Sequence, residues 1–426
     1  MSKRIVIFHY HLNPGGVTRI IESQVESILA NNPKQEILVH CGKISDKEKL
    51  NKKGVLIIEN DLFNYLDENQ ANIHQIYDDT KNALLKNIKE TDILHVHNLN
   101  LGKNPVITLL FSELANEGFP LVNHAHDFAE DREKNWNFLK QVIEVDFKQN
   151  LNKVLYPQLE NYQFACLNSF DYNRLLSYGV EEQRVHLVPN PVIFTESTTT
   201  FDAKEICNDL QISPSKKTIT YPVRVIRRKN IGEFILLCLL LKEEANWVVT
   251  QPPKNPVEIV PYDKWKDFCL KENIPVCFEA GTKVDFEGLI KMSDFCITTS
   301  IQEGFGMVYM EPWLLGTPVI GRNIEMVTKD LISSGVNFPL LYNSILIDES
   351  KDFGQMSMED QMQFIIRIKK DIIAKNELFK LNPFLPKMLN DISNTLISEN
   401  KDIILKEYSL TKFSQRLNGI YKRITA

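Results

Sequence analysis

RIVIFHYHLNPGGVTRIIESQVESILANNPKQEILVHC, Arg4–Cys41, decides the fold. Arg4–Tyr10 is a short apolar run that ends in a polar turn. Gly15-Gly16 follows, and Val17, Ile20, Ile21, Val25, Ile28 and Leu29 then recur at helical spacing on one face. Asn31-Asn32-Pro33 stops that helix, and Glu36–Cys41 reads as the next strand. A strand, a helix and a second apolar strand in this order predict a parallel pair with its crossover helix packed on the sheet. The basic start has no long apolar stretch and no small-residue cleavage site, so we read a buried first strand rather than a signal peptide.

The same alternation continues outward. VLII (Val55–Ile58), ILHVH (Ile93–His97), PLVNHAH (Pro120–His126), FACLN (Phe164–Asn168) and VHLVPN (Val185–Asn190) read as strands, with a helix over Phe170–Tyr178. A break follows, with PNPV, the Ser/Thr run Thr195–Thr200 and Pro214, and we place a domain boundary near residue 195. The pattern restarts with TITYPV (Thr218–Val223), a helix over Ile231–Leu241, WVVT (Trp247–Thr250), PVCF (Pro275–Phe278), FCITT (Phe295–Thr299) and PVI (Pro318–Ile320). From about residue 355 the chain reads almost wholly helical. The expected fold class is α/β, with two successive doubly wound, Rossmann-like domains (1–195 and 196–408) facing a cleft.

Composition narrows the function. The chain has 426 residues, 43% hydrophobic and 24% charged, as in a globular protein of two or three domains. Net charge is −6, and residues 1–196 hold 26 acidic against 20 basic side chains, which argues against a nucleic-acid partner. The longest strongly apolar run, FILLCLLL at Phe234–Leu241, is far too short to span a bilayer, so no stable membrane insertion is expected. The seven cysteines form no CxxC and lie mostly in apolar stretches, which suits a reduced, cytoplasmic protein.

Missing motifs exclude further classes. No G-x-G-x-x-G follows the first strand, and no P-loop, H-E-x-x-H or D-x-D occurs. His95 and His97 share one strand face, as do His124 and His126, and each pair could seed a metal site; no Cys or acidic third ligand stands at metal spacing, so a polar strand end facing a cleft is the preferred reading and no metal is expected.

SIQEGFGMVYMEPWLLGTPVIG, Ser300–Gly321, is the segment richest in chemistry. A buried strand ends in Glu303-Gly304-Phe305-Gly306, and a helix is expected over Met307–Leu315, with Glu311 two turns beyond Glu303. Glycines beside a carboxylate let a ligand approach the backbone closely. Upstream, YPVRVIRRKN (Tyr221–Asn230) places Arg224 five residues before Lys229 where a strand leads into a helix, while Arg227 and Arg228 read as surface charges.

These residues resemble the E-x7-E signature of retaining glycosyltransferases of GT-B architecture, in particular the large glycosyltransferase family 4. The resemblance covers nearly the whole chain. It implies that Glu303 binds donor-sugar hydroxyls, that Glu311 holds the nucleotide ribose, and that the Gly304–Phe305–Gly306 backbone lies along the donor. It implies that Arg224 and Lys229 clamp the donor diphosphate, where fixed cations would stabilise the charge growing on the leaving group. Gly15 and Gly16 resemble the family's G-G-V loop, His126-Asp127 its H-D with the His touching the transferred sugar, and Lys283 would lie beside the base. Helix 409–424 resembles the one that returns to the first domain. VVTQPPKNPVEI (Val248–Ile259) departs from the pattern, with three prolines where relatives carry a glycine-rich turn.

The expectation is a retaining, metal-independent transfer of a hexose from a nucleotide-diphosphate sugar, UDP or GDP, to a hydroxyl of a small soluble acceptor, with no cofactor. Front-face attack, in which the leaving phosphate oxygen takes the acceptor proton, is implied by the resemblance. The competing readings are a sugar-nucleotide epimerase or a phosphorylase of the same fold, and a donor-binding module without turnover. A lipid or polysaccharide acceptor in envelope glycan synthesis is the alternative on the acceptor side. The acidic first half, the single cation Arg19 on the helix at Val17–Leu29, and the polar segments Asn98–Pro105 and Asp127–Asn137 favour the soluble acceptor. Lys103 and Arg132 could recognise an acceptor carboxylate or phosphate, although solvated surface is the preferred reading of each.

Overall fold

The computed structural model describes residues 3–194 and 201–425. The boundary expected near residue 195 and the Ser/Thr run beside it lie outside the described residues. The chain forms two compact units, Met1–Pro191 with Tyr408–Ala426, and Val192–Glu407.

The first unit holds a seven-stranded parallel sheet. Its strands are β1 (Ile5–Leu12), β2 (Ile37–Ile44), β3 (Leu56–Glu59), β4 (Ile93–His97), β5 (Leu121–Ala125), β6 (Tyr162–Cys166) and β7 (Val185–Leu187), in the order β3-β2-β1-β4-β5-β6-β7. β1, β4, β5 and β6 are buried along nearly their whole length, so apolar residues occupy both faces, and the polar side chains of His95, His97, Asn123, His124 and Gln163 are buried among them. Helix Gly16–Asn31 buries Ile20, Ile21, Val25 and Ile28 on one side of the sheet. The last helix, Leu410–Thr425, joins the same layer and adds Phe413, Leu417, Ile420 and Tyr421 to that core. The expected strand Val185–Asn190 is shorter, because only Val185–Leu187 finds a partner in β6.

The second unit carries a six-stranded parallel sheet. Its strands are β8 (Lys217–Arg224), β9 (Ala245–Gln251), β10 (Val276–Cys277), β11 (Phe295–Thr298), β12 (Val319–Arg322) and β13 (Leu341–Tyr342), in the order β10-β9-β8-β11-β12-β13. Helix Ile231–Leu241 is buried at every position, which explains its lack of a polar face. The prolines after β9 do not form an open turn. Asn255 caps a helix at Pro256–Lys271 by accepting a hydrogen bond from the Val257 amide, and Pro256 occupies the first turn, where its missing N–H costs nothing. Both sheets reverse strand order at the first strand of their unit, so each has a switch point at its strand C-termini, between β1 and β4 and between β8 and β11.

Candidate active site

The switch point of the second unit brings Lys229 and Glu303 together. Lys229 ends a short turn after β8, and Glu303 lies in the loop after β11. Lys229 Nζ donates to Glu303 Oε1, and the two residues are 9% and 6% exposed. Burial pulls the Lys229 ammonium below its ordinary pKa, and the Glu303 carboxylate opposes that shift. Arg228 is exposed, as expected of a surface charge, and its guanidinium also donates to the Gln302 carbonyl at 3.1 Å and lies 3.5 Å from Glu303 Oε2. Arg224 is exposed at the end of β8, and its guanidinium has no side-chain partner among the described residues.

A buried network fixes the loop that carries Lys229. Asn230 sits in the left-handed region at φ 52°, donates to Glu233 Oε2 at 3.0 Å and accepts from Gln361 at 3.0 Å. Glu233 is fully buried and takes two hydrogen bonds from Arg322, which also holds Asp352 at 2.7 Å. Tyr221 and Thr299 both bond the Lys229 carbonyl, tying the loop to β8 and to the end of β11. None of these partners was expected, because Glu233, Arg322 and Asp352 lie up to 119 positions apart and no local pattern joins them.

The loop to Glu311 differs from the expected helix. Met307–Tyr309 forms a single 3-10 turn, Met310 breaks it, and a short helix runs over Glu311–Leu314. Pro312 forces this, since proline is accepted only in a helix's first turn. Glu311 therefore starts the helix, with an exposed side chain, instead of lying two turns inside one. Gly306 has φ 78°, and a Cβ there would fall 2.3 Å from Val327 Cγ1. We expect Gly306→Ala to cost about 2–4 kcal/mol in stability, read by calorimetry, because backbone strain and overpacking add. Gly304, Gly15 and Gly16 are different. A Cβ at Gly304 or Gly16 would meet nothing within 4 Å, and one at Gly15 only the Asn13 carbonyl at 3.7 Å. Lys283 is exposed on the rim of a cavity of about 280 Å³ lined by Asp202, Glu205, Asp209 and Asp285.

In the first unit Gly15 and Gly16 open helix Gly16–Asn31, whose N-terminus has no side-chain cap. His126 follows β5 directly and is half-buried. Asn98, in the left-handed region at φ 68°, accepts from the amides of His126 and Asp127 at 2.9 Å each and so shapes the H-D turn. Asp127 in turn pairs with Arg132 at 2.6 Å. Parallel pairing of β4 with β5 sets His97 opposite His124, so the two histidine pairs become one cluster. Each pair thus finds its third imidazole in the other: ligand nitrogens of His95, His97 and His124 lie within 4.8 Å of one another, with no cysteine or carboxylate in the group. Both nitrogens of His97 are already bonded, Nε2 to Gln24 at 2.8 Å and Nδ1 to His126 at 2.9 Å. Burial, with the neighbouring imidazoles, holds His97 and His126 far below the ordinary histidine range.

Residues 202–352 match the family Glycosyl transferases group 1, which includes the Lys229–Glu303 pair and Glu311. The chain thus carries a glycosyl transferases group 1 domain, and its fold is the GT-B type. It is 31% identical to mannosylglucosyl-3-phosphoglycerate synthase of Petrotoga mobilis over 342 residues, 76% of this chain and 65% of that relative's length. Among solved structures it is similar to a glycosyltransferase from Rickettsia africae, with TM-score 0.66 and 17% identity over 100% of this chain and 99% of that one. It is also similar to Anabaena Alr3699/HepE in complex with UDP and glucose, with TM-score 0.60 and 13% identity over 98% and 99%. Among the described residues no helix is long and apolar enough to cross a membrane.

Proposed function

We propose that this chain is a retaining, metal-independent glycosyltransferase that moves a hexose from a nucleotide-diphosphate sugar to a small soluble acceptor. The carrying observation is the buried Lys229–Glu303 pair at the switch point of the second unit, inside the family-matched segment, with the exposed Arg224, which has no side-chain partner among the described residues, on the adjoining strand end. In this reading Arg224 and Lys229 take the diphosphate, Glu303 orients the sugar, and Glu311 takes the ribose. The bond from the anomeric carbon to the phosphate oxygen breaks, the acceptor oxygen bonds to the same face, and its proton passes to the leaving phosphate oxygen. Lys229 contributes by meeting negative charge that grows toward the transition state.

The glycines support this assignment. Among the described residues nothing fills the space a Cβ would take at Gly16 or Gly304, so their packing does not demand glycine there. Close approach by a ligand does. The uncapped N–H groups at Gly16–Asn31 suit an anionic group. The Petrotoga relative is named for a product built on 3-phosphoglycerate, which favours a small anionic acceptor over a lipid.

A thermal-shift screen against UDP, GDP and ADP, then their hexose conjugates, tests the reading. A ligand at 100 times its Kd adds about 2.7 kcal/mol of stability. No shift with any nucleotide sugar would overturn it. Turnover without acceptor would favour the epimerase, and dependence on free phosphate the phosphorylase. Glu311→Ala is expected to weaken nucleotide diphosphate binding by about 1.5–3 kcal/mol in calorimetry, the worth of a charged hydrogen bond. Full transfer activity is expected in EDTA, since two cations at the diphosphate would do the work of a metal. Loss of activity that Mn²⁺ or Mg²⁺ restores would remove that role. Salt-sensitive binding to anionic vesicles, with transfer to lipid alone, would reverse the acceptor assignment.

A further inference from the structure

Five hydrogen bonds thread the histidine cluster into one chain. His126 Nε2 meets His97 Nδ1 at 2.9 Å, and His97 Nε2 meets Gln24 Oε1 at 2.8 Å. Gln24 Nε2 donates to Tyr421 Oη at 2.8 Å, Tyr421 Oη meets His95 Nδ1 at 2.9 Å, and His95 Nε2 meets His124 Nδ1 at 3.3 Å. Every member except His126 is buried. Each imidazole has one N–H and one lone pair when neutral, while the Gln24 carbonyl oxygen only accepts and its amide nitrogen only donates.

The Gln24 amide sets the direction. Its Oε1 accepts, so His97 Nε2 carries the proton and His97 Nδ1 is left to accept from His126. On the other side Gln24 Nε2 donates to Tyr421 Oη, which leaves the hydroxyl proton for His95 Nδ1, and His95 Nε2–H then donates to His124 Nδ1. His124 Nε2, buried without a hydrogen-bond partner among the described residues, ends the chain. His126 consequently gives its Nε2–H to His97. Its Nδ1 is left as a lone pair, with no partner among the described residues.

We propose that this one-way chain sets His126 as a neutral Nδ1 acceptor for a substrate hydroxyl, making Gln24 and Tyr421 positioning residues for it. The substrate assignment rests on the transferase reading above, and the tautomer does not. The C-terminal helix therefore does more than cover the sheet: through Tyr421 it decides which face of the His126 ring hydrogen-bonds outward. Bonds in such a chain polarise one another, which strengthens the preference for a single direction.

Long-range ¹H–¹⁵N NMR of the full chain, labelled at its histidines, tests this. The expected wild-type pattern has His126, His97, His95 and His124 all as Nε2–H tautomers from pH 8 to pH 6. Tyr421→Phe keeps the ring packing and removes the central hydroxyl. It should leave His97 and His126 averaging between tautomers. In a transfer assay the same variant should lose about tenfold in kcat with donor KM little changed, and Gln24→Leu should match it. An Nδ1–H tautomer at His126 in the wild type would overturn the proposal. So would unaltered His126 signals in Tyr421→Phe, or altered tautomers with kcat unchanged in both variants. A wild type that transfers no sugar to any acceptor, yet shows the expected tautomers, would defeat the transferase reading and leave the chain's polarity standing.

Discussion

Lys229→Ala should lower turnover by about 10²–10³, with a much smaller rise in donor KM. The charge that Lys229 would face grows as the bond to phosphate breaks, and removing one fixed donor to such a charge typically costs that much. The structure adds a second consequence. Glu303 is 6% exposed and its Oε1 is held by Lys229 alone among the described residues. Removing the ammonium leaves the buried carboxylate with only the longer contact to the more exposed Arg228, and breaking a buried pair costs up to about 3–5 kcal/mol in comparable cases. Lys229→Ala should therefore both unfold earlier and turn over more slowly. Glu303→Gln is the reciprocal test: it keeps the shape but leaves the nearly buried Lys229 ammonium without its counter-charge, so it too should unfold earlier. Rate and melting curves of both single variants and the double variant give the coupling directly. Unchanged kcat in Lys229→Ala would take Lys229 out of the chemistry.

What the sequence made legible was the part controlled by short-range pattern. β1 and helix Gly16–Asn31 follow from Arg4–Cys41, because a fully buried strand and a one-sided helix each leave a periodic signature. The Arg228 contact to Glu303 was hidden because a charged residue on a polar turn looks the same whether it faces water or a carboxylate 75 positions away. The short helix at Glu311 was misread because apolar residues at Val308, Tyr309, Trp313 and Leu314 fit a helical face, while Pro312 permits only a new start. The histidine chain was the least legible. ILHVH and PLVNHAH show two pairs, but their merger depends on the β4–β5 register, and Tyr421 enters from a helix 326 residues beyond His95. Parallel sheets set such contacts by topology, and no spacing within either strand encodes them.

Acidification should unfold the first unit well before the second. All nine histidines lie between His9 and His186, so the second unit has none. Burial lowers His9 and His124 to about 3, and His40 and His186 to about 4, and holds His95, His97 and His126 well below 6.5. The sign follows from proton counting. Below pH 6.5 the unfolded chain protonates these histidines and the folded unit does not, so the unfolded state binds more protons and stability falls as pH falls. The loss continues down to the folded values, through a window from about pH 6.5 to about 4 for His40 and His186 and to about 3 for His9 and His124. Each histidine contributes on the order of 2 kcal/mol by pH 5, and even four of them approach the whole stability of a typical domain. Asp171 works the other way. Burial raises it to about 6, so the folded state binds its proton first and gains stability below that pH, a partial offset from one group. In the second unit, buried Glu233 is likewise raised, which favours its folded state on mild acidification, and Asp352 is lowered, so its contribution is lost only beneath the ordinary aspartate range. The two units report separately, since Trp136 lies in the first and Trp247, Trp265 and Trp313 in the second. Hydrogen exchange at pH 5 should show β4, β5 and the helix Leu410–Thr425 opening while β8 and β11 stay protected. Loss of protection in both units at one pH, or first in β8 and β11, would show that the buried histidines do not govern acid stability.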